Sequence, residues 1–255
     1  GYVPLREQYD NSVSHALEYY IADFALSRFA EALGKKKDAE MFYKRSLGYK
    51  HYYSKEFGTF RPILPDGTFY SPFNPRQGEN FEPNPGFHEG SAWNYSFYVP
   101  HDVYGLAKLM GGKNPFIKKL QMVFDEGLYD PANEPDIAYA HLFSYFRGEE
   151  WRTQKETQRL LDKYFTTKPN GIPGNDDTGT MSAWAIFNMI GFYPDCPGLP
   201  EYTLTTPVFN KVTIRLDPKW YKEKELVIES NRTQPGTLYI NKVLLNGKKF
   251  NQYRI

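Results

Sequence analysis

Along most of the first 190 positions, apolar residues recur at helical spacing; after that they fall into short runs. Residues 12–33 predict a helix. Ser12 is the expected N-cap, Val13, Leu17, Tyr20, Phe24 and Leu33 form an imperfect stripe, and Gly34 is the stop. Residues 37–53 predict a second helix through Ala39, Phe42, Tyr43 and Tyr49. A proline-rich irregular stretch spans 57–88, and loops of that length inside compact domains are often functional. Further helices are expected at 100–110, 115–126, 136–147, 152–165 and 179–190, with a short one at 90–98. Pro100 near one start and Gly111-Gly112 after the same helix fit the usual asymmetry of helix ends.

After Pro207 the pattern changes. Residues 212–216, 226–228, 238–240 and 243–245 are short β-rich runs separated by turn residues, including Asn246-Gly247. Helices first and strands last is an α+β order. The boundary near 200–208 divides a helical region, 1–207, from a short β-strand appendage, 208–255.

Composition narrows the classes. The 255 residues carry a net charge of +1, without the basic excess that nucleic-acid binders show. No run of about 18 apolar residues is present, so no membrane span is expected, and the chain opens without a signal-peptide pattern. The single cysteine, Cys196, excludes an internal disulfide and reads as a packing thiol rather than a nucleophile. Aromatic residues make up 17% of the chain, which fits an aromatic core or a surface that stacks on sugars.

Three motifs place carboxylates between Gly or Pro at helix boundaries. They are Gly86-Phe87-His88-Glu89-Gly90-Ser91-Ala92-Trp93, continuing to His101-Asp102; Asn133-Glu134-Pro135-Asp136; and Gly171-Ile172-Pro173-Gly174-Asn175-Asp176-Asp177-Thr178-Gly179. Asp102, Asp136 and Asp177 each suit a helix cap. Three acidic, Gly-rich loops in consecutive helical units also suit a shared rim, where two carboxylates across a cleft could hydrolyse a glycoside. Trp93, Tyr95 and Trp184 lie close to these acids and could stack on sugar or belong to the core.

In this order the motifs resemble glycoside hydrolase family 92, the calcium-dependent inverting exo-α-mannosidases. Ser12-Val13-Ser14 with Leu17-Glu18-Tyr19, the Glu89-to-Asp102 block, Asn133-Glu134-Pro135, Trp151-Arg152-Thr153-Gln154, and Gly174-to-Trp184 with Gly191-Phe192-Tyr193-Pro194 all look like family blocks. The resemblance implies a mainly α fold: the back part of an (α/α)6 toroid of helix hairpins, then a short antiparallel β segment. It implies removal of terminal α-linked mannose, often α-1,2-linked, from high-mannose glycans. Glu89 then matches the general acid and Asp177 the general base. Trp93, His88, Asn175 and Asp176 become substrate-binding candidates, and Asn133, Glu134 and Asp177 candidate ligands of Ca²⁺. Ala138 stands where family members often carry His, and Asn175 where some carry a carboxylate. The family's N-terminal β-sandwich and first helices have no counterpart in this chain. From this follow an expectation of no activity in isolation, self-association, and weak or absent calcium binding. A periplasmic, secreted or cell-surface location is also implied.

Overall fold

The computed structural model describes residues 1–7, 10–78, 82–232 and 236–255, so residues 79–81 of the proline-rich stretch lie outside the described part. Helix α1 (Ser12–Ala32) buries Val13, Ala16, Leu17, Tyr20 and Phe24 in the core. Ser12 is its first helical residue rather than its cap. The cap comes from elsewhere: the Gly86 carbonyl accepts from Val13 N–H at 2.9 Å and from Ser14 N–H at 3.2 Å. Gly86 sits at φ +87, and a Cβ there would lie 2.3 Å from Pro62 Cγ, so only glycine lets this loop reach the helix end. Tyr19, Leu26 and Phe29 recur on the outward side of α1 and are exposed, with Leu33 just beyond its end.

Helix α2 (Lys36–Ser46) folds back on α1, tied by Arg45 to the buried Asp23 carboxylate at 3.1 Å. The expected continuation to residue 53 tightens into a 3₁₀ run, Leu47–Tyr52. Here the chain passes so close to α1 that a Cβ on Gly48 would lie 2.5 Å from the Tyr20 ring. A small antiparallel pair, β1 (Tyr53–Ser54) and β2 (Thr59–Phe60), opens the stretch read as irregular.

The next helices are α3 (Ala92–Tyr95), α4 (Val103–Leu109), α5 (Lys113–Asp125) and α6 (Glu150–Tyr164). Asp102 caps α4 by accepting from Gly105 N–H at 3.0 Å. The helix expected over 136–147 is not an α-helix. It is two 3₁₀ pieces, Glu134–Asp136 and Tyr139–Tyr145. The Ile137 carbonyl, which an α-helix would offer to His141, instead accepts from the Trp184 indole at 2.9 Å, and His141 N–H turns to Ala138 at 3.0 Å. Helix α7 (Thr180–Ile190) ends at Gly191, φ +111.

Tyr49, Tyr52, Phe60, Phe97, Phe116, Tyr139, Phe143 and Trp184 are among the largest fully buried side chains, so much of the aromatic content is core. Trp184 stacks on Phe165 with ring centroids 5.5 Å apart. Burial and the neighbouring Asp195 push the Cys196 thiol up to about 12, which suits packing rather than attack.

Beyond α7 the strands form two-stranded antiparallel pairs. These are β3 (Phe192–Tyr193) with β4 (Thr203–Leu204), β5 (Lys211–Arg215) with β6 (Glu225–Glu229), and β7 (Val243–Leu245) with β8 (Lys248–Phe250). Asn246 and Gly247 both have positive φ, as a type I′ hairpin turn demands. The run 238–240 is not a strand. It is strapped to α6 instead, through Ile240 N–H to Gln154 Oε1 at 2.9 Å and the Tyr239 ring against Trp151. The segment after residue 208 is also joined to the helical body. Tyr202 and Ile255 exchange backbone hydrogen bonds of 2.7 and 2.9 Å. Arg254 reaches Asp195, whose side chain is fully buried, at 2.7 Å and lies 3.6 Å over the Tyr145 ring.

Candidate active site

The Glu89 loop is placed by the start of α1. With Gly86 bound to that helix end, His88 N–H donates to Ser14 Oγ at 2.9 Å, and the His88 ring meets Asn11 Nδ2 at 3.1 Å. On the far side, Ser91 opens α3 with a reciprocal capping box to Asn94. Between them Glu89 adopts φ +50, a left-handed conformation rare for a side chain with a Cβ. Its carboxylate is exposed, 3.8 Å from His88 Nε2.

The second loop braces the first. Asn133, itself buried, donates from Nδ2 to the Glu89 carbonyl at 2.7 Å and accepts from Glu134 N–H at 3.1 Å. Asp136 is fully buried rather than a simple cap. One oxygen accepts from Asn94 Nδ2 at 2.9 Å and from Asp130 N–H at 2.8 Å, which joins α3 to this loop. Burial pushes its carboxyl well above the usual carboxylate range. Glu134 is half-buried, and no basic group pairs with it among the described residues. It lies near Glu18 and Tyr98. Desolvation is the main cause raising the Glu18 carboxyl; Tyr98 lowers it, Glu134 repels it and His15 lowers it slightly.

The third loop rests on the second. A Cβ on Gly174 would lie 2.9 Å from the Ala132 carbonyl oxygen and 2.7 Å from Met181 Cε, so glycine permits the contact. Asp176 and Thr178 stand at φ +55 and +53. The Asp176 carboxylate turns inward, accepting from Ser182 N–H at 2.9 Å and Ser182 Oγ–H at 2.5 Å, and these bonds hold it below the usual aspartate range. Asp177 is exposed, and its carboxylate makes no hydrogen bond or ion pair among the described residues. Its carbonyl accepts from Thr180 Oγ1 at 2.7 Å.

The three loops therefore connect in series: the Glu89 backbone to Asn133, its neighbour Ala132 to Gly174, and Gly174 onward to Asp177. Glu89, Asp177, His88 and Asn175 are exposed, while Asp176 is tied to α7. Trp93 is only 9% exposed and packs in the core, so it offers a sugar at most an edge. Sequence reasoning assigned no role to Asn11 or Tyr98, read Ser14 and Glu18 only as parts of a family block, and left Tyr95 between sugar stacking and the core. A signal for some of them was available: Asn11, Ser14 and Glu18 recur at helical spacing as a polar stripe on an apolar helix.

The hard oxygen donors Asn133 Oδ1, Glu134 and Asp177 suit calcium in kind, and the unpaired Glu134 beside Glu18 is a place where a divalent cation would relieve repulsion. Three protein ligands are fewer than the six to eight that Ca²⁺ takes. No cluster of three or more His, Cys, Asp or Glu side chains is gathered as a metal site among the described residues.

Residues 1–255 match the catalytic domain of glycosyl hydrolase family 92. A family 92 α-mannosidase of Bacteroides thetaiotaomicron, solved in complex with mannoimidazole, superposes with TM-score 0.90 at 31% identity, covering 100% of this chain and 35% of its own. A family 92 inverting mannosidase of the same organism gives TM-score 0.87 at 31% identity, covering 100% and 36%. An uncharacterized secreted glycosidase of Arthroderma benhamiae is 26% identical over 276 residues, 98% of this chain and 35% of the relative. The chain thus spans about a third of the length of each.

Proposed function

We propose that this chain, which belongs to glycosyl hydrolase family 92, is the C-terminal portion of an exo-α-mannosidase. The enzyme removes terminal α-linked mannose, α-1,2-linked in particular, from glycans with inversion. The observation that supports this reading is the serial contact of the three loops, with the Glu89 and Asp177 carboxylates both exposed. Protonated Glu89 donates its proton to the glycosidic oxygen as the bond from that oxygen to the anomeric carbon breaks. Asp177 takes a proton from the water whose oxygen bonds to that carbon from the opposite face. Such a pair works across about 6.5–9.5 Å, the room a water needs. His88 and Asn175 flank the two acids as sugar contacts, and Asp176 holds the base loop to α7. Calcium belongs to this proposal. Asn133, Glu134 and Asp177 would hold it, with waters and sugar hydroxyls completing its shell, and its charge would polarise those hydroxyls.

The chain's share of its relatives supports a site completed by more protein than this. Glu89 and Asp177 stand open to solvent, and Tyr19, Leu26 and Phe29 on α1 expose the kind of face that packs against further helices. We therefore assign the missing partners as the remaining helices of an (α/α)6 toroid and an N-terminal β-sandwich. The chain alone self-associates through that face and shows no turnover. A secreted or periplasmic location is supported by the relative described as secreted, and no described helix is long and apolar enough to cross a membrane.

The test follows product stereochemistry. An α-mannoside hydrolysed by the longer enzyme is expected to release β-mannose first, as seen by NMR before mutarotation, and chelator is expected to slow the reaction. Initial release of α-mannose, or an enzyme that prefers α-glucosides, would overturn this reading.

A further inference from the structure

We propose that Tyr95 is a positioning residue for Glu89, acting through the peptide that joins His88 to Glu89. The inference rests on the reading of Glu89 as the general acid. Rotation of a peptide plane changes ψ of the residue before it and φ of the residue after it in opposite senses. Whatever fixes the His88 carbonyl therefore fixes φ of Glu89, and φ sets the direction in which the Glu89 side chain leaves the backbone. The Tyr95 hydroxyl donates to that carbonyl at 2.6 Å. Ser14 Oγ accepts from His88 N–H at 2.9 Å, so the residue before Glu89 is gripped from two elements. Asn133 holds the next carbonyl, that of Glu89, at 2.7 Å.

This grip opposes the backbone's own preference. At φ +50, Glu89 sits where residues with a Cβ are rare, and without the grip it would relax toward the extended or right-handed regions. Tyr95 suits the task because its own position is fixed. The residue is 3% exposed, and its ring packs against Phe87 at 5.7 Å and edge-on to Tyr98 at 6.4 Å between centroids. The hydroxyl is the part of the Tyr95 side chain that bonds the Glu89 loop, and it also meets the Ser14 side chain. Replacement by Phe leaves the packing and removes the bond to His88 together with the hydroxyl's contact to Ser14, both of them parts of the same grip.

The experiment compares Tyr95→Phe, Glu89→Gln and the double variant in the longer enzyme that carries this chain. Substrates are an alkyl α-mannoside, which needs its leaving oxygen protonated, and a dinitrophenyl α-mannoside, which does not. Tyr95→Phe is expected to lower kcat on the alkyl mannoside about ten-fold with KM nearly unchanged, and to leave the dinitrophenyl substrate nearly unaffected. The double variant should be no slower than Glu89→Gln alone, because the hydroxyl matters only through the acid. Equal losses on both substrates, full additivity with Glu89→Gln, or no loss at all would overturn the proposal. If Glu89→Gln itself slows both substrates equally, Glu89 is not the acid and the positioning role falls with it. If Glu89→Gln behaves as an acid variant and Tyr95→Phe does not follow it, only the positioning role falls. Should Tyr95→Phe fail to fold, Ser14→Ala releases the other side of the grip and must give the same leaving-group dependence.

Discussion

The loops bearing Glu89 and Asp177 both hold non-glycine residues in the left-handed region, yet they are built from different materials. Glu89 at φ +50 is held by residues far along the chain: Ser14 lies 74 positions from His88, and Asn133 lies 44 from Glu89. The Asp176–Thr178 turn is held from within its own neighbourhood. Ser182 lies 6 positions from Asp176, Thr180 lies 3 from Asp177, and the Thr178 and Thr180 hydroxyls are 3.0 Å apart. One carboxylate therefore takes its place only when α1, α3 and the 130–136 loop have assembled. The other is prepared by the first turns of α7. Disturbance spread through the core should be felt at Glu89 before Asp177.

That contrast can be broken at several strengths. The largest effect is expected from Asp177→Asn in the longer enzyme, which should cut kcat by about 100-fold or more on activated and unactivated mannosides alike. Glu89→Gln should instead spare the activated substrate. A leaving-group-dependent loss from Asp177→Asn would exchange the two roles.

A smaller effect is expected from Asp176→Asn on the acid limb of stability. The Ser182 hydroxyl and amide hold the Asp176 carboxyl below its ordinary range. Its contribution is therefore present above the unfolded value of about 3.9 and is lost as pH falls through the lowered folded value. Urea midpoints of the parent should decline more steeply below about pH 4 than those of Asp176→Asn. Parallel curves would show that the local bonds to Ser182 contribute nothing to holding the loop.

The smallest effect is expected from Thr178→Gly. Thr178 is exposed, β-branched and at φ +53, so glycine relieves strain while losing only the contact with Thr180. A net gain of about 0.5 kcal/mol is expected, a rise of roughly 1–2 °C in Tm. A drop in Tm would mean that the Thr178 side chain does more for this turn than its one hydroxyl contact suggests.

The same near-and-far distinction explains what could be read from the chain. Helices α1, α5, α6 and α7 were legible because periodic apolar positions and Gly stops are local signals, and so was the hairpin at Asn246-Gly247. The acidic loops were legible as motifs. Three features were not, each because its partner is remote. Ser12 lost the cap to the Gly86 carbonyl, the 136–147 helix lost the Ile137 carbonyl to Trp184, and 238–240 turned from a strand to a strap on Gln154. The grip on His88 was hidden for the same reason, since nothing in the spacing of Ser14 and Tyr95 marks them as its two sides.

The pair formed by Arg254 and Asp195 closes a loop of 59 positions at its base, with Asp195 wholly shielded from water and the guanidinium nearly so. Within that loop the most open aromatic side chains are Trp220 and Tyr221, at 73% and 55% exposure between β5 and β6. A protease is therefore offered its easiest bond where cutting releases nothing. The downstream piece would stay attached through Arg254, the exchange between Tyr202 and Ile255, and the strap on α6, because leaving Asp195 buried without its partner costs about 3–5 kcal/mol. A digest that looks complete on a denaturing gel would still travel as a single particle on a native one.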